Sequence, residues 1–148
     1  MERSVRQNAN KSELRKGDRV MFNEIKSSED IKNFLDETNS LHDGYIIGVQ
    51  YTNQGLLRTE GGYSIDPEQT KLILQICVTS ICDTIVEIQF ESIAEWQIKD
   101  NQWDITDTAV MFNEQQRIVW LDDVYTNMAE IKNGSYVIAK SMKWRIEK

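Results

Sequence analysis

From residue 45 onward, apolar residues return at every second position. Tyr45, Ile47, Val49 and Tyr51 alternate with Gly44, Ile46, Gly48 and Gln50. Leu72, Leu74, Ile76 and Val78 alternate with Lys71, Ile73, Gln75, Cys77 and Thr79. Val86, Ile88 and Phe90 repeat the pattern. A two-residue period marks a strand with one buried face, because successive side chains on extended backbone point to opposite sides. In the first run this places the row from Tyr45 to Tyr51 inward. Gly44 and Gly48, on its other side, mark a bulge or a close backbone approach.

The segments between these runs are short and rich in turn residues. Ser80–Asp83 turns the second run into the third, giving a hairpin. After a break at Ser92, Ala94, Trp96 and Ile98 predict another strand, and Asp100–Gln102 a turn. Ile105–Phe112, the turn Asn113–Gln116 and Arg117–Leu121 form a further pair. Asp122–Asn133 reads as irregular or a single helical turn, and Asn133-Gly134 is a strong turn signal. The closing strand carries Tyr136, Ile138, Met142, Trp144 and Ile146 on one face, interrupted at Lys140. The polar stretch Asn53–Thr70 is either a loop or a ribbon with Gly61-Gly62 at its tip.

Upstream the pattern differs. Residues 1–16 are polar and aperiodic and read as a flexible segment, with 17–148 as a single β-rich domain. Arg19–Ile25 predicts a short strand. Ser27-Ser28-Glu29-Asp30 predicts a helix start, since a serine cap and first-turn acids satisfy the orphan amides. Ile31, Phe34, Leu35 and Thr38 follow at helical spacing, ending near Thr38-Asn39. One short N-terminal helix and seven or eight strands without crossover helices predict a mainly β, antiparallel sandwich or curved half-barrel. The five residues Val20–Glu24 recur as Val110–Glu114, but the flanks do not match, so no duplication is implied.

The charge balance narrows function. Asp and Glu number 24 against 17 Lys and Arg, a net charge of -7. Nucleic-acid binding needs a basic stripe, and the nearest candidate, Lys11–Arg19, is diluted by Glu13 and Asp18. An acidic surface fits a basic protein partner, or simply keeps a domain soluble. No apolar run reaches membrane-span length, and no signal peptide is visible at the polar N-terminus, so a cytoplasmic location with reduced Cys77 and Cys82 is expected. Composition sets no oligomeric state.

His42-Asp43, between the helix and the first alternating run, is the one candidate catalytic pair. Histidine titrates near neutral pH and serves as base or ligand, and an adjacent acid can orient it. Neighbours on a strand point apart, however, so a structural junction is the preferred reading: His42 bonded to backbone, Asp43 capping the turn before Gly44. Two cysteines and one histidine fall short of a zinc set, so neither metal nor cofactor is expected. Trp103 in a predicted turn, with Asp107, Asp122 and Asp123 among the carboxylates at strand ends, are the candidate binding residues.

The order of Ile31-Lys-Asn-Phe-Leu35, Leu41-His-Asp-Gly-Tyr-Ile46, Val86–Phe90, Trp103–Ala109, Ile118–Asp123 and Ala139–Arg145 resembles a group of small uncharacterised bacterial proteins. These have a helix, a His-Asp junction and a terminal Trp-Arg strand. The junction also resembles that of some immunity proteins of polymorphic toxin systems. Gly44 stands where a small hydroxyl residue is usual in that group. The likeness spans roughly residues 20–146 and implies a non-enzymatic binding protein, with a His42-centred ligand binder or hydrolase as the alternative.

Overall fold

The computed structural model describes residues 21–81, 84–99, 104–124 and 128–147. The elements in order are β1 (Asn23–Glu24), α1 (Ser28–Glu37), β2 (Gly44–Asn53), β3 (Leu56–Thr59), β4 (Gly62–Ile65), β5 (Thr70–Val78), β6 (Thr84–Gln97), β7 (Asp104–Ile105), β8 (Ala109–Phe112), β9 (Ile118–Leu121) and β10 (Tyr136–Glu147). Seven strands pair in the order β7-β2-β5-β6-β10-β9-β8, with β1 added beside β10. Every pairing is antiparallel, and the sheet curls into a half-barrel. The mainly β, half-barrel form of the expectation therefore holds.

α1 forms where the caps dictate. The Ser27 hydroxyl accepts from the Asp30 amide at 3.2 Å, while the Asp30 carboxylate accepts from the Lys26 amide at 2.9 Å. This reciprocal pair satisfies two orphan donors. The helix is too short to stand alone in water and depends on the face it packs. That face is Phe34, with Ile31 and Leu35 partly covered. Phe34 meets Trp144 of β10 edge-on, with ring centroids 5.3 Å apart.

The main core lies inside the curl. Leu72, Leu74, Ile76 and Val78 of β5 stand beside Val86, Ile88 and Phe90 of β6, as their alternation predicts. A second cluster of Val119, Leu121, Ile131 and Tyr136 lies apart from it. Residues 118–121 of β9 are consequently buried at every position. The segment 128–133 is a 3₁₀ helix that places Ile131 in this second cluster.

Bulges break the simple alternation. β6 runs unbroken from Thr84 to Gln97, so the Ala94–Ile98 strand is its continuation. Its break is Ser92, at φ 58°, near a register shift against β10. In β10, Val137 and Ala139 join the main core, Tyr136 and Ile138 the second cluster, and Met142 and Trp144 the main core again. One face for Tyr136, Ile138, Met142 and Trp144 is thus corrected to two.

β2 departs furthest from expectation. Tyr45, Ile47, Val49 and Tyr51 are 51%, 56%, 39% and 45% exposed, whereas Gly44 and Ile46 are buried. Ile47 is the extra residue of a bulge between Ile46 and Gly48. Before it, Tyr45 stands opposite Cys77; after it, Val49 and Tyr51 stand opposite Leu74 and Leu72. Tyr51 stacks on Trp96, with centroids 5.4 Å apart.

The Asn53–Thr70 stretch resolves as a ribbon, β3 paired with β4, turning at Gly62 with φ 129°. The predicted strand Ile105–Phe112 divides into β7 and β8, because Thr106–Thr108 bond elsewhere. Of Arg19–Ile25, only Asn23 and Glu24 are strand among the described residues. Residues 1–16 lie outside the described residues.

Truncating Phe34 leaves a void against Trp144 in a fully buried site. Phe34→Ala is expected to lower unfolding free energy by about 3–5 kcal/mol. Urea titration followed by tryptophan fluorescence reads this; a loss under about 1 kcal/mol contradicts α1 as the cover of the core.

Candidate functional site

Between α1 and β2 the chain makes a left-handed turn. Asn39, Ser40 and Leu41 have φ of 53°, 56° and 52°, and Asp43 follows at 57°. For L-residues this conformation costs about 1–2 kcal/mol each, least for Asn and Asp, whose side chains bond locally. Local bonds hold it: the Leu41 amide donates to the Thr38 carbonyl at 3.0 Å and the His42 amide to the Asn39 carbonyl at 2.9 Å. From outside, the Thr108 amide donates to the Ser40 carbonyl at 2.8 Å, and the Ser80 hydroxyl to the His42 carbonyl at 2.9 Å. Leu41 itself is fully buried. Gly44 completes the turn, since a Cβ there would lie 2.8 Å from the Leu41 carbonyl oxygen and 3.0 Å from Ile76 Cγ2.

This turn presents His42 to the β7–β8 connection. Nδ1 lies 2.8 Å from the Thr106 carbonyl oxygen and 3.1 Å from Asp107 Oδ1. A carbonyl only accepts, so Nδ1 carries the proton. Nε2 lies 3.4 Å from Asp43 Oδ2. The ring is 44% exposed. The Thr106 carbonyl and the Asp43 charge, with Asp107, hold its pKa above the usual histidine value against partial desolvation. The expected backbone bond of His42 is present, while the separation expected of Asp43 is corrected: left-handed backbone at Asp43, rather than strand, turns its carboxylate back toward the imidazole. Missing from the sequence reading were the Thr106 carbonyl and the Ser80 hydroxyl; Asn39 and Asp43, both tolerant of left-handed backbone, were the available signal.

The other candidates separate. Asp107 joins His42. Asp122 is buried: its carboxylate accepts from the Ser135 amide at 3.0 Å, and its own amide donates to the Ser135 carbonyl at 3.1 Å. That pair ties the end of β9 to the start of β10, and burial removes Asp122 from any docking surface. Asp123 is partly exposed and accepts from the Val124 amide at 2.7 Å. Trp103, Cys82 and Asp100 lie outside the described residues. Cys77 is a half-buried free thiol. Trp120 and Trp144 are core residues.

Among the described residues three clefts open away from this turn, and His42 lines none of these three. One runs over Gly48, Gln50, Gln75 and Glu87, and another between α1 and β1 over Phe22, Glu24, Asp30 and Glu37. The third is polar, with Gln54, Lys71 and Glu91. Glu87 is buried and paired with Arg145 at 3.0 Å. Burial pushes the Glu87 carboxyl up, but hydrogen bonds from Gln89, Glu147 and Arg145 bring it net below the usual range. Glu147, bonded to Glu87, is pushed up instead. Among the described residues no group of three His, Cys, Asp or Glu side chains is placed to hold a metal ion. No helix among them is long and apolar enough to cross a membrane.

No protein-family model, curated protein or solved structure matches the chain.

Two substitutions test the local architecture by chemical denaturation. Gly44→Ala overpacks the turn and is expected to cost about 1–3 kcal/mol; a neutral result removes the close approach as the reason for glycine. Asp122→Ala strands the buried Ser135 amide and is expected to cost about 1–3 kcal/mol, against under about 0.5 kcal/mol for Asp123→Ala. Equal costs would contradict the assigned roles.

Proposed function

We propose that the chain is a non-enzymatic bacterial cytoplasmic protein that binds another macromolecule, in its sharper form an immunity-type inhibitor of a basic toxin. The observation that carries this reading is the set of exposed large apolar side chains on β2, Tyr45 and Ile47 at its head and, on the other side beyond the bulge, Val49 and Tyr51. Large apolar side chains concentrated on one strand at these exposures mark an interaction surface more often than chance scatter does. Asp43 lies at the head of the strand, Asp104 pairs opposite Tyr45, and Asp107 lies beside His42. These carboxylates, and the net charge of -7, favour a cationic partner. Complementary charge would speed association, while the apolar side chains supply affinity. The His-Asp junction that resembles immunity proteins sits at this same head.

A second reading has its own support: the half-exposed imidazole flanked by two carboxylates is an arrangement able to bind or activate a small ligand. It predicts that His42 is essential, which the first reading does not.

The two are separated by co-expressing the chain with each basic protein encoded beside it, scoring rescue from toxicity and measuring Kd by calorimetry. A tight complex is expected. Ile47→Asp should weaken it about 30-fold or more, the size of a hot-spot loss, and added salt should slow association. Binding by none of these proteins, or binding indifferent to Ile47→Asp, overturns the first reading. Rescue lost only in His42→Ala favours the second.

A further inference from the structure

We propose that His42 is a proton-operated latch, which fastens the β7–β8 connection to the head of β2 more tightly when its ring is charged and loosens that seam when the ring is neutral.

The geometry dictates the two states. Because Nδ1 faces the Thr106 carbonyl, the neutral ring keeps its hydrogen there and leaves a bare lone pair on Nε2. Nε2 lies 3.4 Å from the Asp43 carboxylate, so a bare lone pair there meets a negative group, an unfavourable pairing. One added proton on Nε2 converts it into a charge-assisted contact and strengthens both Nδ1 contacts, to Thr106 and to Asp107. A single proton thereby ties three points on two separate segments.

Beyond the buried Leu41, Ile46 and Ile105, which share the main core, those segments are joined by few backbone bonds. Among the described residues β2 and β7 pair over Gly44–Ile105 and Tyr45–Asp104, with the Thr108-to-Ser40 bond beyond them. The turn on the His42 side holds four residues in left-handed backbone, and opening relieves that strain. Among the described residues the charged neighbours are acidic: Asp43 before β2, Asp107 after β7, and exposed Asp104 on β7. The segment Thr79–Ile81, which bonds the His42 carbonyl through Ser80, carries no titratable group, and Tyr45 is the nearest one on β2. Among the described residues no lysine or arginine competes for Asp43 or Asp107. The raised pKa of His42 follows from the same contacts. Its contribution is complete below about 6.5, the unfolded value, and is lost as pH rises through the higher folded value. The seam is therefore tight in mild acid and loose in mild alkali. Its loosening exposes the outer edge of β2 at Gly44 and Tyr45 more often, beside the exposed side chains of Tyr45 and Ile47.

The test uses the intact chain. NMR titration of the single imidazole gives its pKa. Amide hydrogen exchange at Thr108 and Tyr45, corrected for intrinsic rates, is compared at about pH 5.5 and 8.5, on either side of the ordinary histidine value. The expected result is a pKa above 6.5 and a loss of protection at both amides whose midpoint follows the imidazole titration, with core amides of β5 unchanged. His42→Gln, which keeps a donor for Thr106 but no charge, should abolish the pH dependence. Asp43→Asn should lower the His42 pKa and shrink the change while leaving the Thr106 bond in place, and it carries the test if His42→Gln does not fold. A pKa at or below 6.5, protection at Thr108 that ignores pH, or pH dependence surviving in either folded variant at its wild-type size overturns the latch.

Discussion

Curling one sheet around one core leaves two edges to satisfy, and the whole architecture rests on how the β2 edge meets the chain leading to the β8 edge. Among the described residues its polar part is small: a two-residue β7 pairing, the Thr108-to-Ser40 bond and the His42 contacts, over the shared core of Leu41, Ile46 and Ile105. It is possible only because Asn39–Leu41 turn left-handed, which reverses the path out of α1 and aims the Ser40 carbonyl and the imidazole at the β7–β8 connection. Strained backbone persists only where surroundings over-determine it. Here burial of Leu41, contributing about 1.5–3 kcal/mol, and four backbone-acceptor bonds offset the strain. Phe34 against Trp144 then fixes α1, from which the turn departs, so helix cover and sheet closure are one device.

Elements were legible in the sequence wherever local chemistry settles them. The Ser27 cap, the β5–β6 hairpin and the Gly61-Gly62 tip depend on residues within a few positions of each other. Facing was legible only between bulges. A side-chain period of two converts one extra residue into a complete exchange of sides. Ile47 is that residue in β2, and nothing in Tyr45–Tyr51 distinguishes an apolar row bound for the core from one bound for the surface. The same blindness affected β10, whose first four residues lie between two clusters. Burial on both faces demands apolar residues at consecutive positions, and Tyr136–Ala139 supplies them.

The candidate site was half legible for a related reason. A lone histidine beside an aspartate and a glycine marks a place, but its partners lie 64 and 65 residues away in sequence. One of them is a main-chain carbonyl, which no side-chain pattern announces. Asp122 shows the opposite error. As a carboxylate at a strand end it reads as a surface acid, yet it spends its bonding on a buried amide, a role set by where β10 begins.

The exposed apolar head of β2, Tyr45 and Ile47, lies at the same bulge, and its electrostatic setting limits what can cover it. Ile47 and Tyr45 leave apolar surface in water that the fold does not need to expose, since Ile46 already fills the core below. A second copy approaching head-on would bring Asp43, Asp104 and Asp107 against their own likenesses, with like charges at close range costing as much as the apolar contact gains. A cationic surface meets the opposite balance: the three carboxylates attract it from a Debye length away, and contact desolvates Tyr45 and Ile47. His42 sits among those carboxylates and offsets part of their charge only when protonated. The group that fastens the seam therefore also sets how acidic the head of β2 is, so closure of the sheet and the field at its edge change together with one proton.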